Sequence, residues 1–244
     1  MEVHAHTHTP RKKWTHYFWE FLMLFLAVFC GFLAEYQLEH KIEKDRERKF
    51  MRLLVQDLQS DSDSIAKIKI YRVIKHDQAD SLRNALINGT YKTNGANVYL
   101  WGRDISRRRF FLSADGTMQQ LKNAGNLRLI HNQELAQKII AYDVTYRSYL
   151  RQLDVETELV TDYRTYAARV FDGGVFQLLS INNVAYKPEG NPQLFDSSPA
   201  AINEMINKIN YLMGSQYRLT QLLDELNEKA TELLVLIKKD YRIK

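Results

Sequence analysis

Phe21 to Ala34 is unbroken apolar sequence, and it passes into a heavily charged stretch with no glycine or proline at the join. Alone, a run of that length suits a buried helix or a signal core better than a membrane span. Its flanks lengthen it. Trp14, Tyr17 and Trp19 precede it and Tyr36 follows, as aromatic side chains do at the two interfaces of a bilayer. Trp14 to Tyr36 is 23 residues, about 34 Å of helix, which is enough to cross the hydrocarbon. A cleaved signal fits poorly, because a cut after Ala34 puts Phe32 where a small residue is needed. Processing as a lipoprotein at Cys30 is opposed by the bulky Phe29 before it. The expectation is an uncleaved transmembrane helix over 14–36, after a flexible basic tail over 1–13.

Arg11, Lys12 and Lys13 border the span directly. Lys41, Lys44, Arg46, Arg48 and Lys49 follow it, but they alternate with Glu43, Asp45 and Glu47 along a helix. Counting Lys and Arg alone slightly favours the far side. The compact triplet beside the membrane, on a tail too short to require export, instead predicts a cytoplasmic N-terminus and a periplasmic remainder.

Three long helices are expected beyond the span. From Glu35 to about Asn88 no breaker occurs, and "NGTYKTNG" (Asn88 to Gly95) has turn chemistry. Gln59 to Ser64 is a polar interruption, either a solvated turn or a cation or partner site built from Asp57, Asp61 and Asp63. The second helix spans about 132–171. Its apolar seam steps by four and three from Leu135 through Tyr142, Tyr146, Tyr149 and Tyr163 to Val170, broken only at Glu156. The third spans about 198–241, with Ser198 as cap, Pro199 at the first helical position and Gln216 as the one polar residue on its seam. Each stripe must leave water against another. The predicted class is therefore all-α: an N-terminal transmembrane helix continuing into an antiparallel three- to four-helix bundle over 37–244. A capped short helix over Ser113–Gly125 and others in 97–130 supply the fourth wall. If the helices alternate in direction, residues 89–131 lie distal, 172–197 lie near the bilayer, and "KKDYRIK" lies distal.

Net charge is +5 and mixed in sign, and no helix carries a one-sided basic stripe; nucleic acid is not an expected partner. One cysteine excludes an internal disulfide. No phosphate loop, nucleophile elbow, HExxH or paired cysteines occur, so neither catalysis nor a cofactor is expected. Three groups remain as candidate sites. His4, His6 and His8 alternate in the tail and are weak metal ligands. Glu20 lies about one turn into the apolar region, either as a proton carrier or as a carboxylate paired with Lys13 or His16. Tyr99, Trp101, Arg103, Arg107, Arg108, Arg109 and Phe110 set aromatics beside arginines. They would close the end of the bundle or recognise a protein or an anion. The seam tyrosines are expected in the core with hydroxyls reaching the surface, or around a ligand cavity.

"YFWEFLMLFLAVFCGFLAEYQLEHKIEKDRERKF" and "LKNAGNLRLIHNQELAQKIIAYD" resemble the two fairly specific motifs of a Bacteroidetes family of small single-pass membrane proteins. The likeness covers most of the chain. It implies an inner-membrane location and brings no activity, because the family is described only as a domain of unknown function; no site residue is carried over. Cys30 stands where relatives often have an aliphatic residue, which further opposes lipidation. The expected role is a non-enzymatic interaction or scaffold protein of the envelope, with a membrane-protein partner or a second copy of itself. The alternatives are a sensor-like ligand-binding module acting through a partner, and a subunit of a proton-coupled complex using Glu20.

Overall fold

The computed structural model describes residues 13–123, 125–178, 180–181 and 184–243. His4, His6 and His8 lie outside the described residues. The chain divides into two compact units, Met1–Lys49 and Phe50–Lys244. Among the described residues there are six α-helices: α1 (Trp14–Ile87), α2 (Gly95–Asp104), α3 (Gly116–Asn123), α4 (Gln133–Val170), α5 (Gly173–Leu178) and α6 (Pro199–Tyr241). A two-residue antiparallel pairing joins β1 (Ser180–Ile181) to β2 (Val184–Ala185). The all-α class is the one expected.

The first unit holds the start of α1. Phe21, Leu24 and Phe32 are each 65–68% exposed, and Cys30 is exposed among them. This one helix is long and apolar enough to cross a membrane.

The second unit is a helical bundle. The cap read from sequence is present: Ser198 accepts from the Ala201 amide with Pro199 following, and the structure adds a second at Asn132, whose side chain accepts from the Leu135 amide. The α4 and α6 seams are buried at nearly every expected position. The polar stretch Gln59–Ser64 is not a solvated turn. The helix runs through it, and Asp61, 2% exposed, occupies the seam position between Leu58 and Ile65.

Helix direction differs from simple alternation. Along α1, Asp61 meets Tyr142 and Arg72 meets Glu156, so α4 runs parallel to α1. Helix α6 runs against both: Lys69 pairs with Asp224, Arg83 with Asn210, Lys138 with Glu232 and Lys208 with Asp162. The connection 88–131 returns along the bundle between α1 and α4. At the rise of 1.5 Å per helical residue and about 3.3 Å per extended one, α2, the extended stretch after it and α3 reach about 60 Å, close to the length of α4. The expected opposition of 89–131 and 172–197 is therefore overturned. Asn191 donates to the Lys92 carbonyl and its side chain accepts from the Gly95 amide, so the 172–197 connection shares an end with residues 89–99. The C-terminal residues lie at the other end of this unit, where Ile237, Tyr241 and Ile243 pack in one core with Met51 and Leu54.

The returning connection is the fourth wall, and side chains hold it. An extended backbone without a sheet partner must find acceptors and donors elsewhere. Tyr163 Oη donates to the Gly102 carbonyl at 2.7 Å, and Tyr71 Oη to the Arg107 carbonyl at 2.8 Å. Tyr149 accepts from the Phe111 amide and Tyr146 from the Ser113 amide. Asp61 accepts from the Ser113 hydroxyl and the Ala114 amide, and Asp57 from the Thr117 amide, at the start of α3. Of the seam tyrosines, Tyr146, Tyr149 and Tyr163 thus turn their hydroxyls onto this backbone, and Tyr142 donates to the Asp61 carboxylate, instead of reaching the surface or lining a cavity. The acids spend their oxygens on amides and hydroxyls, and among the described residues no cluster of metal-ligating side chains forms.

Two glycines test the packing. A Cβ at Gly95 would stand 2.0 Å from the Pro192 carbonyl oxygen, whereas one at Gly214 on α6 meets nothing within 4 Å. Gly95→Ala is expected to cost about 1–3 kcal/mol through overpacking. Gly214→Ala is expected to gain about 0.5–1 kcal/mol by relieving the helical penalty of glycine. Parallel urea titrations of the two variants would show opposite shifts of the midpoint.

Candidate functional site

Two apolar cores fill the bundle, one around Met51, Leu58, Tyr149 and Leu226, the other around Leu82, Tyr99, Tyr163 and Ile209. Between them lies a polar layer. Arg72 and Glu156, both nearly fully buried, pair at 2.9 Å. Gln216 shares a small cavity with them. Burial opposes the charge on Arg72, but Glu156 beside it holds the guanidinium above its ordinary pKa.

Outward from this layer, the chain leaving α2 opens a groove. Tyr71, Ile74, Lys75, Asp104, Arg107, Arg108, Arg109 and Arg164 enclose a cavity volume of about 620 Å³. Five of these residues are basic and one is acidic. The acid is already engaged, because the Lys75 ammonium donates to both the carboxylate and the carbonyl of Asp104. Neutral groups position three of the arginines. Arg108 Nη1 donates to Thr157 Oγ1 at 2.6 Å, the Arg109 guanidinium sits 5.1 Å from the centre of the Tyr71 ring, and Arg164 Nη2 donates to the Ser106 carbonyl. Burial, with repulsion from Arg108 and Arg103, pushes Arg164 below the ordinary arginine pKa. Lys75 is lowered chiefly by burial, against the support of Asp104. Burial also drives the Tyr71 phenol up to about 12, so it stays a protonated donor.

Of the residues singled out from sequence, Arg107, Arg108 and Arg109 meet in this groove and the others do not. Tyr99 is fully buried: its hydroxyl donates to the Gln193 carbonyl and accepts from the Asp172 amide, and its ring packs edge-on to Phe171 and Phe176. It closes the end of the bundle. Trp101 packs half-buried against the second core. Arg103 lies over the Phe176 ring at 5.8 Å, and Phe110 is 46% exposed outside the groove lining. Sequence reasoning missed Tyr71, Lys75 and Arg164. Lys75 had a signal, since it falls on a seam position of α1, where a buried ammonium needs an acid. Arg164 lies beside Tyr163 off the α4 seam, and nothing local marks it.

On the first unit, Glu20 Oε1 lies 3.0 Å from His16 Nε2, one helical turn away, with both side chains about half exposed.

Comparison with family models, curated proteins and solved structures finds no match to this chain.

Proposed function

We propose that the chain is a non-catalytic, single-span inner-membrane protein of the Bacteroidetes family it resembles, whose periplasmic helical unit recognises an anionic group through the groove at Arg107–Arg109. The observation that supports this reading best is the lining of five bases and one already paired acid. A surface that only closed a bundle end would gain nothing from concentrating like charges around one concavity. Opposite charge on a partner would relieve their repulsion and steer its approach. The anchor is supported by the uncovered apolar side chains of the first unit, which require lipid or protein around them. His16 beside Glu20 favours a local pair over a proton pathway.

Anchoring and orientation are tested in one preparation. Thr90→Cys, placed in the turn after α1 in a Cys30→Ala background, should resist alkaline carbonate extraction and react with an impermeant thiol reagent on intact spheroplasts. Release by carbonate would overturn the anchor, and protection from the reagent would overturn the orientation. Recognition is tested by reversing charge at Arg107, Arg108 and Arg109 to Glu. The reversed chain should keep its circular dichroism spectrum and lose whatever wild type retains stoichiometrically from native membranes. An identical retained set for both chains would remove the groove from the function.

A further inference from the structure

Resting on that reading, we propose that the groove at Arg107–Arg109 and Arg164 is a phosphate site, built for a compact group carrying more than one phosphate charge. Three of the guanidiniums are each held in place by a separate partner. Thr157 fixes Arg108, the Tyr71 ring fixes Arg109 and the Ser106 carbonyl fixes Arg164. Each of these partners is neutral, so it orders the side chain without cancelling its charge. Among the described residues no carboxylate forms an ion pair with Arg108, Arg109 or Arg164. The arrangement differs from an ordinary surface arginine cluster, where interspersed acids absorb the charge.

Phosphate is favoured over a run of carboxylates for two physical reasons. A planar guanidinium donates two parallel hydrogen bonds that match adjacent phosphate oxygens, and several forks around one concavity match a group with many oxygens on one centre. An acidic peptide would instead have to order several flexible side chains, each at an entropic cost, to fill the same space. The volume of about 620 Å³ lies in the range of small-ligand sites, and Tyr71 and Ile74 supply an apolar wall for whatever carries the phosphates. Free oligophosphate esters and phospholipid headgroups share this chemistry.

The experiment uses the full chain in neutral detergent micelles and titration calorimetry with three probes: inorganic pyrophosphate, short-chain dihexanoyl phosphatidic acid and decaglutamate. The expected result is saturable binding of pyrophosphate at one per chain, weakened about 10- to 100-fold by Arg108→Gln or Arg109→Gln, as removal of a charge-assisted donor implies. Lys138→Gln, outside the lining and paired with Glu232 on the bundle surface, should leave the affinity unchanged. Binding of phosphatidic acid alone, with the same sensitivity to substitution, also supports the site and assigns it to a lipid headgroup. Binding of decaglutamate alone overturns the phosphate assignment and leaves the anionic reading standing. No binding of any probe, or binding indifferent to Arg108→Gln and Arg109→Gln, overturns both.

Discussion

Glu156→Leu is expected to lower the stability of the helical unit by about 3–5 kcal/mol, the usual effect of stranding one member of a buried ion pair. Glu156 is 2% exposed and Arg72 5%. With the carboxylate gone, a buried guanidinium would remain in a small cavity whose other lining, Tyr71, Lys75, Arg107, Arg108, Arg109 and Gln216, holds no carboxylate. The pair itself is not the source of the loss, because its Coulomb attraction is largely offset by the desolvation of two charges. The double variant Arg72→Met/Glu156→Leu should therefore recover most of the stability, or exceed wild type, by joining the two apolar cores into one. Urea unfolding in detergent micelles, followed by the helical circular dichroism signal, distinguishes the cases. A double variant as unstable as the single one would show that the layer holds the fold by something other than charge pairing.

Asp61→Ala is the second large effect, expected at about 2–4 kcal/mol. Three donors converge on this carboxylate: the Ser113 hydroxyl, the Ala114 amide and the Tyr142 hydroxyl, the last at 2.6 Å. Alanine would leave buried donors unsatisfied, which costs more than the net worth of each bond. It would also free the returning connection where it turns into α3. Asp61→Asn separates charge from hydrogen bonding. Burial holds the Asp61 carboxyl above its ordinary pKa despite the bonds from Ser113, Tyr142 and Ala114. A carboxyl raised on folding contributes stability that is complete below its unfolded value, about 3.9, and lost as pH rises through its folded value. Wild type should lose stability as pH climbs from about 4 through the folded pKa of Asp61, and Asp61→Asn should flatten that slope. A slope unchanged by Asp61→Asn would assign it to other groups.

The candidate site was half legible. Arg107, Arg108 and Arg109 are consecutive, so their concentration of charge was plain in the sequence. Tyr71 and Arg164 come from two other helices, and only the returning connection brings them to the same groove. Tyr99 stood open between two readings, because an aromatic beside arginines has the same local appearance in a binding patch and in a bundle end; its burial beside Phe171 and Phe176 decides for closure.

The polar breaks in the helical seams carried more information than the sequence reading drew from them. Glu156 on α4 and Arg72 on α1 sit at seam positions with opposite charge. A buried charge demands a partner, so their pairing was inferable once both seams were written down. The same logic reaches Lys75 with Asp104, and Asp61 with its three donors.

The sequence by itself determined the apolar segment able to cross a membrane, the three long helices, the Ser198 cap and the buried faces. These depend on spacing over a few residues, and a chain of fixed helical geometry carries that spacing into space unchanged. The direction of α4 was decided only in the tertiary structure. The segment between α1 and α4 contains enough extended backbone to travel the length of the bundle, and its backbone groups find their partners on Tyr71, Asp61, Tyr149 and Tyr163, dozens of residues away in the chain. No local pattern records hydrogen bonds of that range, so the parallel course of α1 and α4, and the groove it creates, belong to the packing alone.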